Sequence, residues 1–188
     1  MICQRTSAAR DGEFKTRAEN GKRYIEGYFV VYGARYEIFK DATETVDRGA
    51  FDLARDSDVR ALTNHDTTLV LGRTTAGTLT LRDDDYGLWG SIEINENDQD
   101  AVNQWERVNR RDVTQCSFGF DILDEEFIEK DDGTTEWHIR KVKLYEVSVV
   151  TFPAYEATGV SARKAELETI RKRKLEKWRS EMRSKIGG

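Results

Sequence analysis

The sequence is poor in the residues on which disulfide frameworks and most metal sites depend. Among its 188 residues are two cysteines (Cys3 and Cys116), two histidines and one proline. Two cysteines cannot form a disulfide framework, so a reducing cytoplasm is the expected compartment. The spacing of these few residues matches no metal motif such as C-x-x-C or H-E-x-x-H. We therefore expect neither a metal ion nor a cofactor.

Long hydrophobic runs are also missing. No stretch approaches the roughly 18 apolar residues that cross a bilayer, and the mean hydropathy is −0.71. The opening "MICQRTSAARDGEFKTR" lacks the apolar segment of a secretory signal. The sequence therefore predicts no membrane association. With 38% hydrophobic residues, the chain has enough apolar side chains for one folded domain and an appended element.

Charge divides the chain into two unequal parts. Residues 161–188 hold ten Lys and Arg against four Glu, whereas residues 1–160 hold 20 basic and 31 acidic side chains. An acidic body with a basic tail does not indicate a general nucleic-acid binder, although the tail suits an acidic surface or phosphates. We predict a mobile polar segment over 1–20, a folded domain over 21–160 and a basic helical tail over 161–188.

Hydrophobic periodicity predicts many short strands separated by Gly-containing turns. Three residues spaced three apart, Val102, Trp105 and Val108, predict one face of a helix. Strands are predicted at 23–33, 59–65, 69–74, 77–82, 88–94, 114–123, 135–141 and 143–151, and helices at 49–55, 97–110 and 162–186. This spacing favours an antiparallel sheet or barrel within an α+β fold.

His65, in "RALTNHDTTLVLGRTT", is the first candidate for chemistry. A histidine at the end of a buried strand can act as a general base if a nucleophile lies within reach. Ser117, in "TQCSFGF", is the preferred nucleophile, and Gly119 beside it lets a substrate approach the backbone closely. Cys116 is a rival, but alternation along a strand places Cys116 and Ser117 on opposite faces.

Three residues compete for the role of orienting the imidazole. Asp66 is adjacent to His65, and neighbouring side chains usually diverge. His138, in "TEWHIRK", lies in a charged strand typical of an exposed hairpin. Glu146, in "LYEVSVVTFPAY", precedes an apolar run, where a carboxylate needs a partner. Glu146 is the preferred choice and His138 the alternative.

Together these motifs resemble the prohead, or head maturation, proteases of tailed double-stranded DNA phages. The resemblance covers about residues 24–158. It rests on the motifs "EGYFVVYG", "NHDTTLVLGRT" followed by "GTLTL", "GLWGSIEI", "SFGF" and "EVSVVTFPAYEAT", which occur in this order. That family is thought to share the fold and the serine-protease mechanism of herpesvirus assemblins. The resemblance implies an assemblin-like, mostly antiparallel β-barrel of about six to eight strands with surrounding helices.

Position by position, the resemblance makes His65 the base and Ser117 the nucleophile, which demotes Cys116. In assemblins the third catalytic residue is another histidine, on a strand that begins where "EVSVV" begins here. Glu146 takes that place, so this chain departs from the assemblin pattern. The turn "TFPAYEATG" corresponds to the assemblin oxyanion site and implicates Ala154 and Tyr155.

The function implied is a serine endopeptidase that cleaves the scaffolding segment of the major capsid protein, and itself, inside the procapsid in the host cytoplasm. Assemblins depend on dimerisation, so a homodimer is implied as well. The basic tail fits a scaffold-docking or encapsidation element lost by self-cleavage, or a solvated helix without a partner. Two alternatives remain: a non-enzymatic scaffold or capsid-interaction protein with the same fold, and a nucleic-acid-binding module that uses the tail.

Overall fold

The chain is an α+β protein built mainly from strands. The computed structural model describes residues 3–6, 14–152 and 157–186, with the backbone alone for 3–6, 157–162 and 184–186. Within these ranges it contains eleven β-strands, two α-helices and a short 3₁₀ turn at Thr74–Ala76. Two compact units are distinguished, residues 1–154 and 155–188, and each is described by itself.

The larger sheet has seven strands and is organised around one long strand near the carboxyl end of the first unit. This strand, β11, pairs with β10 in antiparallel fashion and with β5 and β6 in parallel fashion. The strands are β1 (Cys3–Thr6), β4 (Tyr36–Phe39), β5 (Ala42–Val46), β6 (Arg60–Thr63), β7 (Asp66–Arg73), β10 (Gln115–Glu129) and β11 (Thr135–Val150). Their order is β1-β10-β11-β5-β4, and β6 joins β11 to β7.

The smaller sheet has four antiparallel strands in the order β2-β3-β9-β8. They are β2 (Lys15–Glu19), β3 (Lys22–Val31), β8 (Leu79–Asp83) and β9 (Gly87–Glu93). Both sheets contribute fully buried side chains to one hydrophobic cluster, among them Phe29, Leu88, Phe118 and Val147. Phe118 and Phe120 stack with ring centroids 4.6 Å apart, because residues two apart on a strand share a face.

The predicted barrel is wrong in three respects. The described strands form two separate sheets rather than one closed cylinder, and their number exceeds the six to eight expected. The larger sheet is also mixed, since β5 and β6 run parallel to β11. Apolar alternation reports which face of a strand is buried, but not the direction of its neighbour, so the sequence pattern did not reveal the parallel pairs.

Helix α1 (Gln99–Asn109) agrees with its predicted position. The Asp98 side chain begins it by accepting hydrogen bonds from the backbone N–H groups of Asp100 and Ala101. Val108 is buried, while Val102 and Trp105 are half-buried against the core. The indole Nε1 of Trp105 donates to the Tyr24 carbonyl at 3.1 Å, which ties α1 to β3.

Other segments differ from the sequence prediction. No helix forms over 49–55, where the chain makes turns instead. The polar first twenty residues contain β1 and β2, whose hydrogen-bonding partners β10 and β3 are supplied by later sequence. The second unit contains α2 (Ala157–Ile186), in which Arg163 and Glu166 form an ion pair at 2.8 Å. Neither helix in the described ranges combines the length and the apolar character needed to cross a membrane.

Candidate active site

His65 lies in the two-residue turn that joins β6 to β7. Thr63 pairs with Asp66 across this hairpin, and the turn residues Asn64 and His65 both have positive φ, 50° and 60°. Such a turn matches the twist of the flanking strands but usually requires Asn-Gly, because a side chain is strained in the left-handed region. Asn64 suits it well, whereas His65 is held there by its contacts with β11.

Two hydrogen bonds attach the turn to the end of β11 and to the residue after it. The Asn64 N–H donates to the Val149 carbonyl at 3.0 Å, and the Thr151 N–H donates to Asn64 Oδ1 at 2.8 Å. These hydrogen bonds hold the turn against the end of β11 and so fix the position from which the His65 imidazole reaches the sheet.

One face of the β10–β11 pair carries the remaining polar groups. Ser117 is directly opposite Ser148, and Gly119 is directly opposite Glu146. Directly opposed residues of an antiparallel pair lie on the same face, with Cβ atoms about 4.5–5.5 Å apart. Ser117 and Ser148 are fully buried, and Glu146 is 8% exposed. Two hydroxyls and a carboxylate therefore occupy one small, mostly enclosed patch.

The His65 imidazole contacts this patch through Nδ1. Nδ1 lies 2.7 Å from Glu146 Oε1, and Ser148 Oγ donates to the other carboxylate oxygen at 2.6 Å. Ser148 Oγ also accepts a hydrogen bond from the backbone N–H of His65 at 3.3 Å. Each Glu146 oxygen therefore has a partner, and the buried carboxylate is oriented from both sides.

The other ring nitrogen, Nε2, is buried and forms no hydrogen bond with any residue in the described part of the chain, Ser117 included. An acceptor as strong as Glu146 places the proton of a neutral imidazole on Nδ1, so the lone pair lies on Nε2. Catalytic hydrogen bonds are often long in enzymes without substrate and shorten in the complex. The arrangement suits an imidazole that is ready to accept a proton at Nε2.

The structure gives a reason for glycine at position 119 that the sequence analysis did not contain. A Cβ built on Gly119 would lie 2.3 Å from Glu146 Oε1 and 3.0 Å from its Cγ. A side chain at position 119 would therefore displace the Glu146 carboxylate, and glycine leaves room for it beside His65.

A family model described as caudovirus prohead serine protease matches residues 12–173 of the chain. The match covers most of the sequence and includes His65, Ser117 and Glu146. The chain belongs to this prohead protease family. It is therefore a peptidase of the class that acts in phage capsid maturation.

Two further comparisons accompany the family match. Among solved structures, the capsid assembly protease of bacteriophage T4 is similar with a TM-score of 0.48 and 11% identity, over 81% of this chain and 98% of that one. Among curated protein sequences, none matches the chain significantly.

Cys116 was the alternative nucleophile, and Asp66 was an alternative for the residue that orients His65. In this member of the prohead protease family, both side chains form contacts outside the polar patch. Cys116 is 4% exposed, and its Sγ lies 3.4 Å from the Tyr28 carbonyl on the core face, opposite to Ser117. The Asp66 carboxylate accepts hydrogen bonds from the side chain and the backbone of Thr68, and these bonds lower its pKa. Neither side chain joins the polar patch.

His138, the alternative partner for His65, lies far along β11 from Glu146. The two are eight residues apart on one strand, which is about 26 Å at 3.3 Å per residue. His138 Nδ1 lies 3.0 Å from Asp47 Oδ1, and Nε2 lies 3.6 Å from Glu136 Oε2. His138 therefore belongs to a separate polar cluster around β5.

Ala154 and Tyr155, the predicted oxyanion residues, lie outside the described residues.

Ser148 is a residue of the polar patch that the sequence did not lead us to predict. In "EVSVV" it follows Glu146 by two positions, and period-two alternation places both side chains on one face. A hydroxyl two residues from a buried carboxylate was therefore the available signal. No group of three His, Cys, Asp or Glu side chains within the described ranges is arranged to hold a metal ion.

Proposed function

We propose that the protein is a serine endopeptidase in which Ser117 is the nucleophile, His65 the general base and Glu146 the residue that orients His65. The observation that carries this proposal is the contact of His65 Nδ1 with Glu146 Oε1 at 2.7 Å, with Nε2 unbonded within the described chain and Ser117 on the strand face that bears the carboxylate. A Ser-His-acid triad requires the same three roles, a nucleophile, a general base and an acid that orients the base.

Proton transfer is the first step. His65 Nε2 removes the proton from Ser117 Oγ as that oxygen attacks the carbonyl carbon of the scissile peptide bond. The resulting imidazolium lies against the Glu146 carboxylate, which remains ionised and offsets the new positive charge. Burial of the patch strengthens this interaction, because little water competes with it.

Collapse of the tetrahedral intermediate returns the proton. The imidazolium donates it from Nε2 to the leaving amine, the C–N bond breaks, and an ester between Ser117 and the acyl half remains. A water molecule, deprotonated by His65, then attacks the ester and releases Ser117. We propose that backbone N–H groups at Ala154 and Tyr155 stabilise the oxyanion in both halves of the reaction.

The substrates we propose are the scaffolding segment of the major capsid protein and the protease chain itself, cleaved within the procapsid in the host cytoplasm. Family membership supports the setting, because these peptidases are named for the prohead. Removal of internal protein by hydrolysis is irreversible, which suits a maturation step. We propose that the active form is a dimer and that the basic segment 161–188 docks on capsid or scaffold protein, since its net positive charge suits an acidic surface.

Substitution of the nucleophile is the direct test. Ser117→Ala should fold normally and lower cleavage of the co-expressed capsid precursor by about 10³-fold or more, while procapsids still assemble. Wild type should also form a one-to-one adduct with a fluorophosphonate at Ser117, identified by peptide mass. Normal processing by Ser117→Ala would disprove the assignment. A wild-type chain that neither cleaves nor reacts would instead be a non-enzymatic capsid-interaction protein.

A further inference from the structure

A groove runs along the outer edge of β7 and begins at the turn that carries His65. Its first part, of about 490 Å³, lies between β7 and α1 and is lined by Thr63 and Asn64, the two residues before His65. A second part, of about 520 Å³, shares Val70 and Leu71 with the first. The two parts are therefore neighbours along β7, and together they lead away from the turn that carries His65.

One wall of the groove is an open strand edge. Within the described residues β7 pairs with β6 alone, and its residues 68–73 line the groove. Such an edge presents backbone N–H and C=O groups in the pattern that an added strand uses. Val70, 44% exposed, supplies an apolar side chain on this wall. Residues 68–72 of β7 extend about 17 Å, the length of five extended residues, whereas the backbone N–H and C=O of Arg73 are already hydrogen-bonded to Thr78.

The opposite wall contains a buried polar side chain. Gln104 of α1 is 3% exposed and lines the groove. Its amide forms no hydrogen bond with any residue in the part of the chain that the structure describes. A peptide backbone in the groove would provide hydrogen-bonding partners for both the donor and the acceptor of this amide.

The charges of the first part do not suit a phosphate-bearing ligand. Arg107 lies there with two carboxylates, Asp98 and Asp100, whereas phosphate sites gather several cations or backbone N–H groups. A strand edge, an apolar side chain and an amide are the features that suit a surface to an extended polypeptide.

We propose that an extended segment of the substrate polypeptide, on one side of the scissile bond, binds in this groove as an added strand on β7, with the Gln104 amide hydrogen-bonded to its backbone. This inference rests on the proposed function, because it places the substrate of the same site. It makes Gln104 and the β7 edge substrate-binding elements that act on affinity. The chemistry at Ser117 does not depend on them.

Kinetics with defined peptides test the groove. A peptide that wild type cleaves efficiently is selected from a library of denatured proteome peptides, and KM and kcat are measured for three variants. Gln104→Met preserves the size of the side chain but removes its hydrogen bonding, and Val70→Asp alters an exposed position without entering the core. Asn103→Ala, on α1 outside the groove lining, is the matched control.

Gln104→Met and Val70→Asp should each raise KM about fivefold or more with kcat within about twofold of wild type, and Asn103→Ala should change neither. The rate of fluorophosphonate labelling at Ser117 should be equal in all four proteins, because that small reagent does not occupy the groove. Wild-type KM values for both groove variants would overturn the inference while leaving the peptidase intact. Absence of both cleavage and labelling in wild type would count against the proposed function itself.

Discussion

Glu146 Oε1 lies 2.7 Å from Nδ1 of His65, although the two residues are 81 positions apart in the chain. The contact is possible because β6 and β11 are parallel neighbours and the 64–65 turn returns over the end of that pair. In the direction of β11, Glu146 pairs with Arg60 and Val149 with Thr63. The parallel register therefore determines which side chain of β11 the imidazole meets.

Substitutions at Glu146 and at His138 test which of the two residues orients His65. Glu146→Gln should lower kcat by about 10²–10⁴-fold, because an amide can donate to Nδ1 and so hold the proton of the imidazole on Nε2. His138→Ala should leave kcat within about twofold, since its partners are Asp47 and Glu136. Both variants are assayed on one peptide under saturating conditions. A larger loss in His138→Ala would transfer the orienting role to that residue.

Ser148 is predicted to position the carboxylate without reacting itself. Ser148→Ala removes the donor to Glu146 Oε2 and the acceptor of the His65 N–H. A hydrogen bond to a charged group contributes about 1.5–3 kcal/mol, so kcat should fall by about 10–100-fold with KM unchanged. The variant should still be labelled at Ser117 by a fluorophosphonate. Complete loss of labelling, as severe as in Ser117→Ala, would show that Ser148 is itself required for acylation.

Gly119→Ala should disable the enzyme through Glu146. The new methyl group would occupy the position 2.3 Å from Glu146 Oε1, so the carboxylate must move away from His65. We expect a loss of kcat close to that of Glu146→Gln, together with a lower Tm, because the patch is buried.

A double variant provides the control for this prediction. Glu146→Asp shortens the acid by one methylene and leaves space for a methyl group at position 119. The combination of Gly119→Ala with Glu146→Asp should therefore be more active than Gly119→Ala alone, which is a positive coupling in a double-mutant cycle. Strictly additive losses would mean that the methyl group acts on something other than the carboxylate.

Acid stability should depend on Asp58. Hydrogen bonds from the Arg73 guanidinium hold the pKa of the Asp58 carboxyl well below its usual range. The group titrates near pH 3.9 in the unfolded chain, so its stabilising effect is complete above that pH and is lost as the pH falls further. Asp58→Asn should lower Tm at pH 6, and the difference from wild type should shrink below about pH 4. Arg73→Gln should remove the same dependence, and a pH-independent difference would contradict the assignment.

The positions of most strands and of α1 follow from local pattern, whereas the way the strands combine does not. Val102, Trp105 and Val108 were sufficient to predict α1, because the apolar residues of one helical face recur at regular spacing within a single short segment. Pairing of β5 and β6 with β11 involves residues about ninety positions apart, and nothing in either segment specifies parallel direction. A barrel was therefore predicted where two sheets form.

The site shows the same division. His65 stood out because the chain has only two histidines and this one ends a buried strand, where it needs a partner. Glu146 stood out because a carboxylate beside an apolar run needs a partner as well. The turn itself was not predicted, since Asn-His is not a usual pair for two residues with positive φ. Gly119 was interpreted as allowing a substrate to approach the backbone closely, and its proximity to the Glu146 carboxylate on the neighbouring strand could not be read from the sequence.

Strand β11 carries Glu146 and Ser148. On one side it pairs with β10, which carries Ser117, and on the other side it pairs with β6, which leads into the turn of His65. The groups proposed to react therefore lie on two neighbouring strands of one hydrogen-bonded sheet and in the turn that follows a third. On warming, hydrolytic power should vanish at the same temperature at which the sheet melts.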